Sequence, residues 1–191
     1  MSNRAIFLDR DGTINVEKDY VHKVSEFEFI PGVIQALQKL QAMGFLLIVV
    51  TNQSGIARGY YSEEEYKELN VWMLERLEAE GIRIAAVYYC PHHPDAKVQK
   101  YRKECNCRKP KLGMYMQAVN DFEVDLELSY AIGDKLRDCS VCFSSGCKGF
   151  LISNTENAEI IESVKNKQYE NISYADSLLR CAELIMESER M

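Results

Sequence analysis

Short apolar runs that end abruptly on polar residues, separated by stretches of helical periodicity, constrain the fold of this chain more than any other feature. Ala5-Ile-Phe-Leu8 is too short for a helix and stops at Asp9, while Phe45-Leu-Leu-Ile-Val-Val50 is rich in β-branched side chains and stops at Thr51. Runs of this kind read as strands covered on both faces. Between them Val33, Leu37 and Leu40 recur at helical spacing after Pro31, with Gly44 just past the end, which predicts a helix over 31–43. Ser62 and Glu65 form a capping box, and Tyr66, Leu69, Met73 and Leu77 share one face up to Gly81, which predicts a helix over 62–81. Further along, a strand is predicted over 84–89 and a helix after Pro110 through Met116 and Val119. A strand over 129–132 should end in Gly133-Asp134, a last strand should lie near 149–152, and the pattern from Tyr174 is helical. Strands alternating with helices imply right-handed crossovers and an α/β fold with a doubly wound, mostly parallel sheet. Nothing resembles an interdomain linker, so a single domain over 1–191 is expected.

Composition narrows the function classes. A formal net charge of -6 with scattered Lys and Arg offers no footprint for a nucleic-acid backbone. No stretch approaches the roughly 18–20 apolar residues of a membrane span. Met1 to Arg4 run directly into the first strand-like segment rather than into a leader, so a cytoplasmic location is expected. Seven cysteines then suggest metal ligands and buried thiols before disulfides.

Ligands of doubly wound sheets sit beyond the carboxyl ends of the strands. Three such ends carry Asp9-Arg-Asp-Gly-Thr13, Thr51-Asn-Gln-Ser-Gly55 and Gly133-Asp-Lys135, and Arg108-Lys-Pro110 would enter from a long polar loop. Asp9 is the candidate nucleophile, whose attack on phosphorus would form an acyl phosphate that water later cleaves. Asp11 is the candidate general acid and then base. Asp9 and Asp134, with the backbone carbonyl of Asp11, offer the hard oxygen ligands that Mg²⁺ prefers. Thr51 and Lys109 would hold the phosphoryl oxygens, and Asn52, Gln53 and Ser54 belong to the same substrate-facing turn. A calcium loop would need Gly at its sixth position, whereas Gly12 falls at the fourth.

Phe7-Leu-Asp-Arg-Asp-Gly-Thr13, Thr51-Asn52-Gln53, Lys109 and Gly133-Asp134 resemble the four ordered motifs of the haloacid dehalogenase-like (HAD) phosphatases. A narrower resemblance rests on Thr51-Asn-Gln-Ser-Gly-Ile-Ala-Arg-Gly59, Tyr88-Tyr-Cys-Pro-His-His-Pro94, Cys105-Asn-Cys-Arg-Lys-Pro110 and Gly133-Asp-Lys135. These look like the D-glycero-D-manno-heptose-1,7-bisphosphate 7-phosphatases, over about residues 5–150. The resemblance implies a HAD-like fold with a zinc-bound loop and no large cap domain. It also implies removal of the C7 phosphate of the heptose bisphosphate in nucleotide-activated heptose (lipopolysaccharide precursor) biosynthesis. Arg108 would recognise the substrate, and Glu17, Lys18, Asp19, Tyr20 and Lys135 would line its site. The related histidinol-phosphate phosphatases share the aspartate motif and a similar zinc loop, and are the main alternative.

Cys90-x-His92 and Cys105-x-Cys107 offer three thiolates and an imidazole, a set suited to closed tetrahedral Zn²⁺. Metal binding would order a loop, 90–107, that is too polar to fold alone. His93 competes with His92 for the imidazole position, and the family resemblance implies His92. Cys139, Cys142, Cys147 and Cys181 read as buried apolar thiols, and Tyr60, Tyr61 and Trp72 as packing or surface aromatics. The resemblance further implies a monomer acting on a small phosphorylated sugar, and the charge and apolar patterning lead us to expect no nucleic-acid or membrane partner.

Overall fold

In the computed structural model, which describes residues 2–152 and 158–190, the first apolar run is strand β1 (Ala5–Leu8), with all four side chains buried. Helix α1 (Val33–Ala42) follows, then β2 (Leu46–Asn52), a short α2 (Ser54–Arg58), α3 (Glu63–Ala79) and β3 (Ile84–Cys90). The chain continues through α4 (Gly113–Phe122), β4 (Tyr130–Gly133), β5 (Lys148–Leu151), α5 (Ala158–Lys165), β6 (Ile172–Tyr174) and α6 (Leu178–Ser188). The described strands form one parallel sheet in the order β3-β2-β1-β4-β5-β6. The predicted doubly wound sheet is therefore present, and among the described residues no second folded unit caps it.

Both faces of β1 are apolar because each packs on its own layer. Ile6 and Leu8 join Leu37, Leu40, Met73 and Ile185 on one side, whereas Ala5 and Phe7 join Met114, Tyr115, Ala118 and Cys139 on the other. Burial on both sides explains why the run does not alternate with polar residues. The capping box of α3 forms as predicted, with Glu65 N–H donating to Ser62 Oγ and Ser62 N–H donating to Glu65.

Two expectations need correction. The strand near 149–152 is not the last, because β6 adds to its edge. Tyr174 ends that strand, and the final helix begins only after Ser177, whose hydroxyl accepts from Arg180 N–H. Cys139 and Cys142 lie on a 3-10 helix, Leu136–Phe143. With Cys147 and Cys181 they are buried in the two core layers, as their reading as apolar thiols requires.

The strand order places the functional turns together. Leu8 pairs with Val49 of β2 on one side and with Ile132 of β4 on the other, so the chain leaves β1, β2 and β4 at one rim. The sheet reverses its winding direction between β1 and β4, the point at which such sheets open a crevice.

Candidate active site

Asp9, Asp11, Thr51, Lys109, Asp134 and Asp138 line a crevice of about 380 Å³ at that rim. Asp9 is the residue immediately beyond β1, and its N–H donates to Ile132 O of β4 at 3.0 Å, which anchors the turn to the sheet. Gly12 follows with φ +79°, and a Cβ there would stand 2.6 Å from Asp134 Cγ and Oδ2. Only glycine allows the first turn and the β4 turn to approach this closely.

Lys109 fixes the floor of the crevice. Its ammonium donates to Asp9 Oδ1 at 2.9 Å and to Val50 O at 2.6 Å, and pairs with Asp138 Oδ1 at 2.7 Å. The backbone of Lys109 is held in turn by Asn52, whose amide accepts from Lys109 N–H at 3.0 Å and donates to Lys109 O at 3.1 Å. Asn52 thus holds a catalytic candidate rather than projecting freely to a substrate. Burial opposes the charge on Lys109, but Asp138 and Asp9 outweigh it and hold its pKa above the ordinary value. Asp9 moves the other way from a normal carboxylate. Burial lifts it to about 7, Lys109 opposes the rise, and Asp138, Asp134 and Asp11 add to it.

That surplus of negative charge fits a divalent cation. Oxygens of Asp9, Asp134 and Asp138 lie within 4.8 Å of one another and all three residues are buried. The expected ligands Asp9 and Asp134 are brought together, and Asp138 joins them. The carboxylate of Asp11, expected near the metal, is not in this cluster and points to other partners. It accepts from Arg10 Nη2 at 2.9 and 3.0 Å, from Asn15 Nδ2 at 3.1 Å and from Gln53 Nε2 at 2.9 Å.

Around the mouth, Glu17, Asp19, Tyr20, Ser54, Arg108 and Lys135 line the crevice as expected, joined by Arg58, Tyr61 and Arg137. Lys18 does not reach its wall; its ammonium pairs with Glu28 at 2.8 Å on the surface. Asp19 and Tyr20 have φ of 53° and 67°, consecutive left-handed residues that turn this segment back over the site.

Cys90 at the end of β3 meets His92, Cys105 and Cys107. Ligand bonds of about 2.0–2.3 Å give tetrahedral edges of about 3.3–3.8 Å. Five of the six separations among the three sulfurs and His92 Nδ1 run from 3.2 to 3.7 Å, and all lie within 4.8 Å, so the set fits zinc. His92 stands in this cluster, whereas His93 has other partners, its Nδ1 accepting from Asp95 N–H and its Nε2 lying 3.3 Å from Arg58. Arg108, next to Cys107, reaches back to His92 O at 3.3 Å.

A family model described as polynucleotide kinase 3 phosphatase matches residues 4–176. The D-glycero-beta-D-manno-heptose-1,7-bisphosphate 7-phosphatase of Haemophilus ducreyi is 45% identical over 86% of this chain and 91% of its own. The enzyme of the same name from Escherichia coli strain K12 is 52% identical over 70% of each chain. The chain belongs to the heptose-1,7-bisphosphate 7-phosphatase family. A solved member, the D,D-heptose 1,7-bisphosphate phosphatase from B. bronchiseptica complexed with magnesium and phosphate, superposes with a TM-score of 0.81 at 31% identity, covering 97% of this chain and 99% of that one.

Seen as a heptose-bisphosphate phosphatase site, the crevice contains residues that sequence reading did not single out. Asp138 lies four residues beyond Asp134, in a segment without a distinctive period, and becomes conspicuous only once Lys109 meets it. Arg10 is buried behind Asp11, its guanidinium also donating to Val21 O at 2.9 Å and lying over the Tyr66 ring. Tyr61 packs with Ile56 and Tyr66, as its reading as a packing aromatic requires, and its hydroxyl also donates to Gln53 Oε1 at 2.6 Å.

Proposed function

We propose that this chain is a magnesium-dependent phosphatase that removes the C7 phosphate of D-glycero-D-manno-heptose 1,7-bisphosphate through an aspartyl phosphate on Asp9. The observation that carries the reading is the Lys109 ammonium seated between Asp9 and Asp138 beside Asp134, an arrangement that pairs a nucleophile with fixed positive charge. Relatives bearing that enzyme name support the substrate.

Asp9 attacks phosphorus in line with the departing sugar oxygen, and Asp11 gives that oxygen its proton. Asp11 then takes a proton from the water that cleaves the acyl phosphate, so its two roles are the reverse of one another. Lys109 and the Thr51 hydroxyl hold the phosphoryl oxygens through both halves. Asp9, Asp134 and the Asp11 backbone carbonyl would hold Mg²⁺, which supplies neutralisation of the charge between nucleophile and phosphate. Arg108 and Lys135 at the mouth suit the second phosphate, and Glu17, Asp19, Tyr20, Asn52, Gln53 and Ser54 shape the remaining wall. Zinc on Cys90, His92, Cys105 and Cys107 fixes the loop that presents Arg108 and Lys109. The enzyme acts as a single-domain monomer in the cytoplasm, in the synthesis of nucleotide-activated heptose.

Phosphate release from the heptose bisphosphate, histidinol phosphate and a 3′-phosphorylated oligonucleotide tests the substrate. The highest kcat/KM is expected for the sugar, and a higher value for either other ester would overturn that choice. Asp9→Asn is nearly isosteric yet a poor nucleophile; it should abolish turnover while zinc content and melting temperature stay within error. Retained turnover would remove Asp9 from the mechanism.

A further inference from the structure

We infer that Tyr61 is a positioning residue for the proposed acid–base group Asp11, acting through the Gln53 side-chain amide. The inference rests on the role given to Asp11 above.

While ionised and paired with Arg10, the Asp11 carboxylate only accepts hydrogen bonds, so in that state Gln53 presents its NH₂ to Asp11 Oδ2, 2.9 Å away. The same nitrogen lies 3.0 Å from Thr51 Oγ1, which accepts from it. Gln53 Oε1 then faces the other way, and at 2.6 Å the Tyr61 hydroxyl can only donate to it. The direction of every bond in the chain Tyr61–Gln53–Asp11 is therefore determined. Gln53 is 1% and Tyr61 5% exposed, so bulk water does not replace the hydroxyl if it is lost. A flipped amide would bring Oε1 against Asp11, oxygen facing oxygen.

The fold holds the Tyr61 ring in place from two sides. His22 stacks on it with centroids 5.0 Å apart and planes 8° from parallel. On the other side, a Cβ at Gly55 would stand 2.2 Å from Tyr61 Cε1, so α2 must carry glycine where the ring passes. Burial also raises the Tyr61 hydroxyl above its ordinary pKa, with Arg10 opposing, so it remains a donor through the neutral range.

Proton donation matters for a poor alkoxide leaving group and far less for p-nitrophenolate. In Tyr61→Phe, kcat/KM for the heptose bisphosphate should fall about tenfold, the worth of one buried hydrogen bond, and kcat/KM for p-nitrophenyl phosphate by no more than about threefold. Gln53→Leu should lower kcat/KM for both esters, because Gln53 also donates to Thr51, but more for the heptose bisphosphate than for p-nitrophenyl phosphate. Adding Tyr61→Phe to Gln53→Leu should cost nothing more, because the hydroxyl acts only through the amide. Equal losses on both esters, or additive losses in the double variant, would overturn the assignment of Tyr61. Asp11→Asn separates the two layers of the argument. If it discriminates between the esters and Tyr61→Phe does not, the positioning role alone is refuted; if Asp11→Asn itself fails to discriminate, the acid–base reading and the positioning role fall together.

Discussion

Gly12 and Gly44 share a backbone conformation but not surroundings, and comparing them isolates what close approach contributes to this site. Gly12 has φ +79° and Gly44 has φ +85°, so an alanine at either suffers the same left-handed strain. That strain costs about 1–2 kcal/mol. In a chain of this size each kcal/mol lowers the melting temperature by roughly 2–4 °C. Around Gly44 nothing lies within 4 Å of a new Cβ, and the penalty should end there. At Gly12 the new Cβ would meet Asp134 Cγ and Oδ2 at 2.6 Å, a deficit of about 0.8 Å against the 3.4 Å at which ordinary contact begins. Asp134 must move by about that distance, and a displacement near 1 Å at a catalytic centre costs on the order of 10²-fold in rate. Gly44→Ala should therefore melt a few degrees lower with kcat/KM unchanged. Gly12→Ala should lose about 10² in kcat/KM and need roughly tenfold more Mg²⁺ for half-maximal activity. Calorimetry and phosphate release at graded Mg²⁺ measure both. Retention of kcat/KM and Mg²⁺ requirement within threefold in Gly12→Ala would refute the close-approach argument.

Asp138→Asn should lower kcat by about 10²–10³-fold in a phosphate-release assay. Asp138 Oδ1 faces Lys109 Nζ and Oδ2 accepts from Lys135 N–H at 2.9 Å, so an amide must turn an N–H toward one donor while Lys109 loses a charge partner. Cys107→Ser should lower zinc content, expose 90–107 to protease and cut kcat/KM by about 10–100-fold, because the displaced loop carries Arg108 and Lys109. Metal analysis and limited proteolysis read the first two effects. Glu63 joins α3 to β3 and to the zinc loop by accepting from Tyr89 at 2.5 Å and Tyr101 at 2.7 Å, bonds that lower its pKa to about 2. Its charged form favours the folded state above its ordinary value near 4.5, and this contribution is lost as pH falls from there toward 2. Urea titrations should find Glu63→Gln about 1 kcal/mol less stable at pH 7, after allowance for its partial exposure, with the gap narrowing from pH 5 to pH 3.

The sequence by itself determined what is local or set by spacing. Apolar runs ending at Asp9, Thr51 and Asp134 named both the strands and the polar residues that line the crevice at their ends, because a strand covered on both faces must be apolar until it leaves the sheet. The Cys-x-His and Cys-x-Cys pairs likewise announced a cluster of four donors that could hold a metal ion. Tertiary structure alone decided which residues complete the crevice. Asp138 and Tyr61 carry no periodicity or motif spacing of their own, and Arg10, though inside the first motif, shows its partners only in the fold. They matter because buried charges and amides must find partners, and those partners come from whichever distant segment the packing brings within about 3 Å. Chain order cannot encode the pairing of Lys109 with Asp9 across 100 positions, or of Gln53 with Asp11 across 42. It becomes definite only when β1, β2 and β4 lie side by side and exclude the water that would otherwise satisfy each group separately.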